Sequence, residues 1–319
     1  MRTGERVLAA ADGTDLFVHS WLPEEAFPGG ARAVVQVAHG MAEHAGRYGQ
    51  FAQALTQAGY GVYADDHRGH GRTAGALAHA GYLAGSRGWD RLVGDQLTVT
   101  EHVAASHPGV PIVLFGHSMG SSLARAYARR HGEGLAALVL SGVSGDPGVL
   151  GRAGHAAAQL EMRVRGRKAR SPVMDKLLFG TFNRPFAKDG GARTDFDWLS
   201  RDAAEVDAYV DDPWCGFVCT TSFYADLIGG VRAATSSCEG VPEDLPVLIV
   251  VGAEDPVGGE AAGVQVQRQY CDAGLEDVSL RVYAGARHEL LHETNRREVL
   301  DDVLTWLDER LTTPTPNGG

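Results

Sequence analysis

The chain has 319 residues, of which 44% are hydrophobic and 22% are charged. This composition is typical of a globular protein and excludes a disordered or fibrous chain. The net charge of -11 argues against nucleic-acid binding, which needs a basic face. No apolar run approaches the ~18 residues of a membrane-spanning helix, and the charged N-terminal segment lacks a signal-peptide core. We therefore expect a soluble cytoplasmic protein.

Strand and helix patterns alternate through the first 142 residues. Strands are predicted at 6–10, 16–22, 33–38, 61–64, 111–115 and 135–140, and helices at 47–58, 89–106 and 119–131. The Asp12-Gly13 turn joins the first two strands as an antiparallel pair. The later strands are continuous apolar runs separated by helices, which predicts a mostly parallel α/β sheet with helices on both faces.

The pattern changes after the strand at 135–140. Residues 143–243 contain no strand pattern and are helical and more highly charged. Strands return at 246–251 and 278–283, with helices at 259–274 and 295–311. We expect an α/β core formed by 1–142 and 244–311, a helical insertion at 143–243, and a disordered tail at 312–319.

The four cysteines are too few and too scattered for a disulfide scaffold. Cys215 and Cys219 lie one helical turn apart, and Cys238 and Cys271 lie far along the chain. A zinc site usually shows repeated Cys-x-x-Cys pairs, which are absent. Buried apolar cysteines in a reducing compartment are the preferred interpretation, and metal binding is the alternative.

The strongest chemical signal is Gly-His-Ser-Met-Gly at 116–120. The motif alone is weak in a glycine-rich chain, but here it lies between a predicted strand and a predicted helix. A tight turn at this position exposes a serine hydroxyl above the sheet, next to a helix N-terminus that favours negative charge. We predict that Ser118 is a nucleophile; the alternative is a glycine-rich βα turn.

A serine nucleophile needs a base and an orienting acid. Asp255 directly follows the strand at 246–251, and His288 directly follows the strand at 278–283. Both therefore lie at the carboxyl ends of parallel strands, in the chain order Ser, Asp, His of an α/β-hydrolase. Glu254 is the alternative acid, disfavoured by its longer reach and its neighbouring position.

Backbone groups after the strand at 33–38 are candidates for an oxyanion hole. Gly40 permits close approach of the substrate, and the N–H groups of Met41 and Met119 would bind the oxyanion. His67 and His70 have metal-ligand spacing, but no further cluster completes a site. We predict loop hydrogen bonds for these two histidines.

Four motifs resemble the monoacylglycerol lipase and lysophospholipase branch of the α/β-hydrolases. They are His39-Gly40-Met41-Ala42-Glu43-His44, Asp66-His67-Arg68-Gly69-His70-Gly71, Gly116-His117-Ser118-Met119-Gly120 and Gly285-Ala286-Arg287-His288-Glu289. The inserted stretches 194–202 and 212–217 look similar to bacterial members. Thr73 departs from the serine that the family often has, which is a mild change.

The resemblance implies an α/β-hydrolase fold, a Ser118–His288–Asp255 triad, and a cap formed by the insertion over an acyl pocket. It also implies two-step acyl transfer from a monoacyl lipid ester, with no metal or organic cofactor. Apolar cap residues are candidates for the acyl tunnel, with core packing as the alternative for about half of them; they are Leu177, Leu178, Phe179, Phe182, Phe217 and Phe223.

The insertion carries a basic stretch at 163–170, with five cations in an otherwise acidic chain. One interpretation is attraction to anionic headgroups, which would give the cap a peripheral membrane contact. The preferred interpretation is a solvated helix face.

Three other functions compete with lipid-ester hydrolysis. A peptidase or amidase could use the same triad, with an acidic or polar pocket for the substrate amine. A dehalogenase or epoxide hydrolase is disfavoured because its nucleophile is a carboxylate and residue 118 is serine. A non-catalytic binding protein is disfavoured because the triad candidates are all present.

Overall fold

The computed structural model describes residues 1–24, 30–187 and 192–311. Within these ranges, one sheet contains the strands β1 (Arg2–Ala9), β2 (Asp15–Leu22), β3 (Val34–Ala38), β4 (Gly61–Asp65), β5 (Ile112–His117), β6 (Ala137–Ser141), β7 (Val247–Gly252) and β8 (Val278–Tyr283). Their spatial order is β1-β2-β4-β3-β5-β6-β7-β8. The pairs β1–β2 and β2–β4 are antiparallel, and the other neighbours are parallel. The predicted α/β-hydrolase fold class is confirmed.

The helices of the described residues agree with the predicted ones in position. They are α1 (Gly49–Gln57), α2 (Gly71–Ala74), α3 (Gly88–Ser106), α4 (Met119–His131), α5 (Gly148–Arg165), α6 (Pro172–Phe179), α7 (Ala203–Asp211), α8 (Thr221–Thr235), α9 (Gly259–Asp272) and α10 (Arg296–Leu311). A 3-10 turn, Ala45–Tyr48, precedes α1 where a regular helix was predicted from residue 47. The short α2 was not predicted.

The two faces of the sheet carry separate hydrophobic layers. Alternate side chains of the buried strand β5 enter opposite layers, with Leu114 on one face and Val113 and Phe115 on the other. Helices α3, α4 and α9 cover the first face, with α8 packed on α3 and α4, and α1 and α10 cover the second. This burial on both faces explains why the strand sequences are continuous apolar runs.

The segment between β6 and β7 contains α5 to α8. Helix α8 packs against α3, α4 and α5 and is largely buried. Phe223, an expected tunnel residue, is fully buried on α8 against His70 and Tyr224. Phe223 is therefore one of the residues explained by core packing, the alternative to the tunnel, because α8 points this side chain into the core.

The C-terminal end of the chain lies outside the described residues. The tail at 312–319, predicted to be disordered, lies beyond the described residues. In the part of the chain that the structure describes, no helix combines the length and the apolarity that a membrane crossing requires.

Candidate active site

Ser118 occupies a strained turn between β5 and α4. Its φ of 54° lies in the left-handed region, although serine has a Cβ. Glycines make this turn possible, because a Cβ at Gly116 would collide with the Gly120 carbonyl, and one at Gly120 would collide with the Ala38 carbonyl. The turn places Ser118 at the N-terminus of α4, as the sequence predicts.

A hydrogen-bonded chain joins the three predicted triad residues. His288 Nε2 lies 2.8 Å from Ser118 Oγ, and His288 Nδ1 lies 2.9 Å from Asp255 Oδ2. Asp255 also accepts a hydrogen bond from Val257 N–H, which orients the carboxylate. Glu254 is exposed whereas Asp255 is buried. The sequence prediction therefore names the three side chains that the fold brings together.

The pKa of His288 is set by two opposing effects. Burial alone would lower it, but the Asp255 carboxylate, through its charge and its hydrogen bond, raises the pKa above the ordinary histidine value. The neighbouring His117 has no such partner, and burial lowers its pKa to about 4. His288 is therefore the more basic imidazole of this pair.

The predicted oxyanion donors lie on both sides of Ser118. Met119 begins α4, so its N–H has no partner within the helix. Met41 borders the same cavity as Ser118. The peptide before Met41 is oriented by His39 Nδ1, which lies 2.7 Å from the Gly40 carbonyl oxygen. Because the peptide is planar and trans, the Met41 N–H points away from His39.

A buried ionic network supports this loop and was not predicted. Glu43 accepts hydrogen bonds from Gly40 N–H and from Arg47, at 2.8 Å for the latter. Arg47 also binds Glu289 through two contacts of 2.6 and 2.7 Å. Burial would raise the pKa of Glu289, but Arg47 holds it well below the usual range. The network thus joins the loop after β3 to the residue beside His288.

The insertion also contacts the loop that carries His288. Glu289 N–H donates to the Leu199 carbonyl at 2.8 Å, and the Trp198 ring lies 5.1 Å from the His288 ring. Arg287 donates to the Ser200 carbonyl at 2.9 Å. Trp198 and Leu199 therefore form one wall of the site.

Two cavities meet at Ser118, Met41 and Phe179. The first, of about 620 Å³, has polar groups in its lining, including Asp175, Lys176 and Asn183. The second, of about 630 Å³, is lined mainly by apolar side chains of the insertion: Leu150, Leu177, Leu178, Phe182, Leu227, Ile228 and Val231. Both volumes are in the usual range for small-ligand sites.

The residues predicted to bind substrate are divided between these cavities. Gly40 and Phe217 line the first cavity, Phe182 lines the second, and Phe179 lines both. Leu177 and Leu178, also expected at a tunnel, line the second cavity. The sequence identified these side chains but not this division.

Among the described residues, one group of three side chains has atoms close enough to hold a metal ion: His44, Asp212 and Cys215. Gly46 N–H donates to His44 Nδ1, so the proton is on His44 Nε2, which donates to Asp212 at 2.8 Å. Burial raises the pKa of the Cys215 thiol well above its usual value, whereas a metal needs the thiolate. This donor set fits a hydrogen-bonded contact better than a metal centre.

His67 and His70 are buried and hydrogen-bonded within their loop. His67 Nδ1 lies 2.9 Å from Asp65, and His70 Nδ1 lies 3.2 Å from the Arg68 carbonyl. These are the loop hydrogen bonds that we expected.

Comparison with known proteins assigns the chain to a family. A family model described as "Serine aminopeptidase, S33" matches residues 29–295. A monoacylglycerol lipase of Mycolicibacterium smegmatis is 33% identical over 317 residues, covering 96% of this chain and 98% of that protein. The chain belongs to the monoacylglycerol lipase branch of this α/β-hydrolase family. It is a carboxylic ester hydrolase.

More distant relatives agree with this assignment. Human monoglyceride lipase is 28% identical over 311 residues, covering 96% of this chain and 91% of that protein. A carboxyl esterase from Bacillus coagulans, solved in complex with glycerol, has a TM-score of 0.86 at 26% identity. The match covers 98% of this chain and 100% of the esterase.

Proposed function

We propose that this enzyme hydrolyses monoacyl lipid esters, namely monoacylglycerols or lysophospholipids, through Ser118, His288 and Asp255. The hydrogen-bonded chain of these three side chains at the junction of two cavities carries the proposal. The relatives named monoacylglycerol lipase and monoglyceride lipase support the lipid substrate.

The reaction proceeds in two acyl-transfer steps. Ser118 Oγ attacks the ester carbonyl carbon and passes its proton to His288 Nε2. His288 returns this proton to the alcohol oxygen as the ester bond breaks, which leaves the acyl group on Ser118. Water then attacks the acyl carbon and gives a proton to His288, which returns it to Ser118 Oγ as the acyl-enzyme bond breaks and the fatty acid leaves. Asp255 holds the Nδ1–H of His288 throughout.

The N–H groups of Met41 and Met119 form the oxyanion hole in this mechanism. Each donor contributes roughly 3–4 kcal/mol of transition-state stabilisation in comparable hydrolases. Both donors belong to the backbone, so the methionine side chains are not required for this role.

The acyl chain and the alcohol of the substrate occupy different cavities, which meet at its carbonyl group. We place the acyl chain in the apolar cavity, because each buried methylene contributes about 0.8 kcal/mol. The alcohol occupies the other cavity, where Asp175, Lys176 and Asn183 offer polar groups. Gly40 and Phe217 border the alcohol, and Phe182 borders the acyl chain.

The insertion at 143–243 acts as the cap between the core segments 1–142 and 244–311. Most of the apolar cavity lining comes from this insertion. Because α8 packs on the core helices, the part that covers the acyl chain is α5, α6 and the residues around Phe182. Substrate selectivity by chain length should therefore depend on these elements.

A series of 1-monoacylglycerols from short to long acyl chains tests this function. We expect kcat/KM to rise with chain length until the apolar cavity is filled, and then to level off. Replacing Phe182 by serine should lower kcat/KM for long chains by about tenfold, the equivalent of one or two lost methylene contacts. Hydrolysis of p-nitrophenyl acetate, which does not reach Phe182, should change by less than about twofold.

Phe217→Ser is the matched control, because Phe217 lines the alcohol cavity. It should change kcat/KM for all chain lengths by the same factor. A chain-length profile that is altered by Phe217→Ser and unaltered by Phe182→Ser would reverse the assignment of the two cavities.

An aminopeptidase is the second candidate, favoured by the family description and by Asp175 and Asp195 in the polar cavity. Asp175 is hydrogen-bonded to Tyr224 and Asp195 is exposed, so neither forms an enclosed amine site. Turnover of aminoacyl anilides, without turnover of monoacylglycerols or of a lysophospholipid, would establish the peptidase instead.

We further propose a peripheral contact of the cap with lipid surfaces. Helix α5 carries an exposed apolar stripe along one face, formed by Val149, Ala153, Ala157, Leu160 and Val164. Leu160 and Val164 are 61% and 75% exposed. Ala153 and Ala157 also line the apolar cavity, so the stripe is continuous with the acyl site. Such a face fits the interfacial region of a bilayer.

The basic stretch at 163–170 is less suited to this contact than the stripe. Arg165 binds Glu161 at 2.6 Å, Arg170 donates to backbone carbonyls such as that of Val218, and Lys168 lies over Tyr82. Most of the cations that the sequence suggested for binding anionic lipid headgroups therefore make contacts within the protein.

Sedimentation with phosphatidylcholine–phosphatidylglycerol vesicles tests the stripe. The variant Leu160→Asp/Val164→Asp should lose most vesicle binding, because each charge resists burial among acyl chains. It should keep wild-type hydrolysis of soluble p-nitrophenyl butyrate. Val7→Asp changes an exposed valine on β1 and is the control. Equal vesicle binding by both variants would exclude the stripe as the contact.

A cytoplasmic location is also part of the proposal. All four cysteines are free, and Cys271 is exposed. An exposed free thiol is more common in a reducing compartment than outside the cell.

A further inference from the structure

Hydrogen bonds from the insertion hold the loop that carries Met41, and they have no role in the mechanism described above. The Tyr209 hydroxyl on α7 donates to the Ala42 carbonyl at 2.9 Å, and the Gly216 N–H donates to the same oxygen at 2.9 Å. Tyr209 is 6% exposed, and Phe196 and Arg47 pack on its ring. This buried hydroxyl therefore has a fixed position.

Ala42 is the residue that needs such a contact. Its φ of 53° lies in the left-handed region that favours glycine, and its backbone is one peptide away from Met41 N–H. A strained conformation persists only where surrounding groups enforce it. On the other side of Met41, the Gly40 N–H is held by Glu43. Ala42 is thus a point at which the insertion fixes the loop next to Met41.

We propose that Tyr209 is a positioning residue, whose hydroxyl locks Ala42 and keeps the Met41 N–H aimed at the substrate oxyanion. The inference rests on the proposed function, because it assigns Met41 to the oxyanion hole. Tyr209 joins α7 of the insertion to the loop after β3, so the insertion completes the catalytic backbone as well as the acyl cavity. It acts through Ala42 and not by contact with the reacting atoms.

This role predicts a loss of transition-state stabilisation rather than of substrate binding. The oxyanion forms only after attack on the carbonyl, so a misaligned donor lowers kcat and leaves ground-state binding unchanged. Loss of a whole oxyanion donor costs about 10²–10³-fold, and loss of its alignment should cost less. We expect kcat to fall about tenfold in Tyr209→Phe, for acetate and laurate esters alike.

Tyr60→Phe is the matched control. Tyr60 also has a buried ring with a hydrogen-bonded hydroxyl, which donates to the Asp308 carboxylate, but it lies at the amino end of β4, opposite the candidate site. Both variants remove only a buried hydroxyl: Tyr60 loses its bond to Asp308, and Tyr209 loses its bonds to the Ala42 carbonyl and from the Gly216 N–H. Both should therefore lower Tm. A change in kcat that is confined to Tyr209→Phe is therefore not a general effect of stability.

The decisive measurement is the affinity for two inhibitors. A dodecyl trifluoromethyl ketone forms a hemiketal oxyanion on Ser118, and 1-O-dodecylglycerol is an ether without a carbonyl. Tyr209→Phe should bind the ketone about tenfold more weakly and the ether equally well, whereas Tyr60→Phe should bind both like wild type. Unchanged ketone affinity, or equally weakened affinity for ketone and ether, would overturn the proposal. If wild type does not hydrolyse 1-monolauroylglycerol but the ketone result holds, Tyr209 keeps its role and the proposed substrate fails.

Discussion

Replacing Ser118 by alanine is expected to lower kcat for ester hydrolysis by about 10⁶-fold. The hydroxyl is the only group that can form the acyl-enzyme in the proposed mechanism, and His288 Nε2 lies 2.8 Å from it. His288→Ala should cost a similar factor, and the double variant should be no worse, because the groups act as a unit. Initial rates with a p-nitrophenyl ester give all three values.

Ser121→Ala provides the comparison for Ser118→Ala. Ser121 lies in the first turn of α4, and its hydroxyl donates to the Ser118 carbonyl at 2.6 Å. Its replacement should cost less than about tenfold, because it removes one hydrogen bond that contributes about 1 kcal/mol. A Ser118→Ala enzyme as active as Ser121→Ala would show that the nucleophile lies elsewhere.

Replacing Asp255 by asparagine is expected to lower kcat by about 10⁴-fold. Asparagine keeps the shape but lets the His288 ring take the wrong tautomer. The pH profile should also change. His288 is active as a neutral base, so activity is lost as the pH falls through its pKa. The carboxylate raises that pKa, so the acid limb of kcat/KM should move to lower pH in Asp255→Asn.

Glu254→Gln is the control for the acid. Glu254 is exposed and adjacent in sequence, whereas Asp255 is buried and bonded to His288 at 2.9 Å. Its replacement should leave both kcat and the pH profile near those of wild type. A severe Glu254→Gln defect beside a mild Asp255→Asn defect would make Glu254 the acid.

The triad candidates were predictable because each follows a parallel strand. Ser118 and Asp255 come after the buried strands β5 and β7, and His288 comes after the partly exposed strand β8. Parallel strands bring such positions to one edge of the sheet. The glycines at 116 and 120 mark the turn, since any other residue there would collide with backbone. These signals are local in sequence, so they can be recognised without knowledge of tertiary packing.

The contacts made by the insertion were not predictable in this way. Tyr209 is 167 residues from Ala42, and neither residue belongs to a pattern that indicates the other. Trp198 contacts His288 although the two residues are also far apart in the sequence. Such pairs form only when the insertion packs on the core, and its sequence has no periodic pattern that indicates this packing.

The division of the cap aromatics between two cavities also needed the structure. Apolar character marks Phe182, Phe217 and Phe223 as buried, but it does not distinguish an acyl cavity from an alcohol cavity or from the core. Helix α8 buries Phe223 because its face packs on α3 and α4. The direction in which a helix presents each side chain therefore decides what that side chain binds.

Labelling by a fluorophosphonate, followed by mass spectrometry of the digested protein, tests the central claim most directly. The account predicts one adduct per chain, on the peptide that carries Ser118, and slower labelling in the presence of saturating 1-monoacylglycerol. Ser118→Ala should remain unlabelled. An adduct on another residue, or undiminished labelling of Ser118→Ala, would contradict the assignment of Ser118 as the nucleophile of this hydrolase.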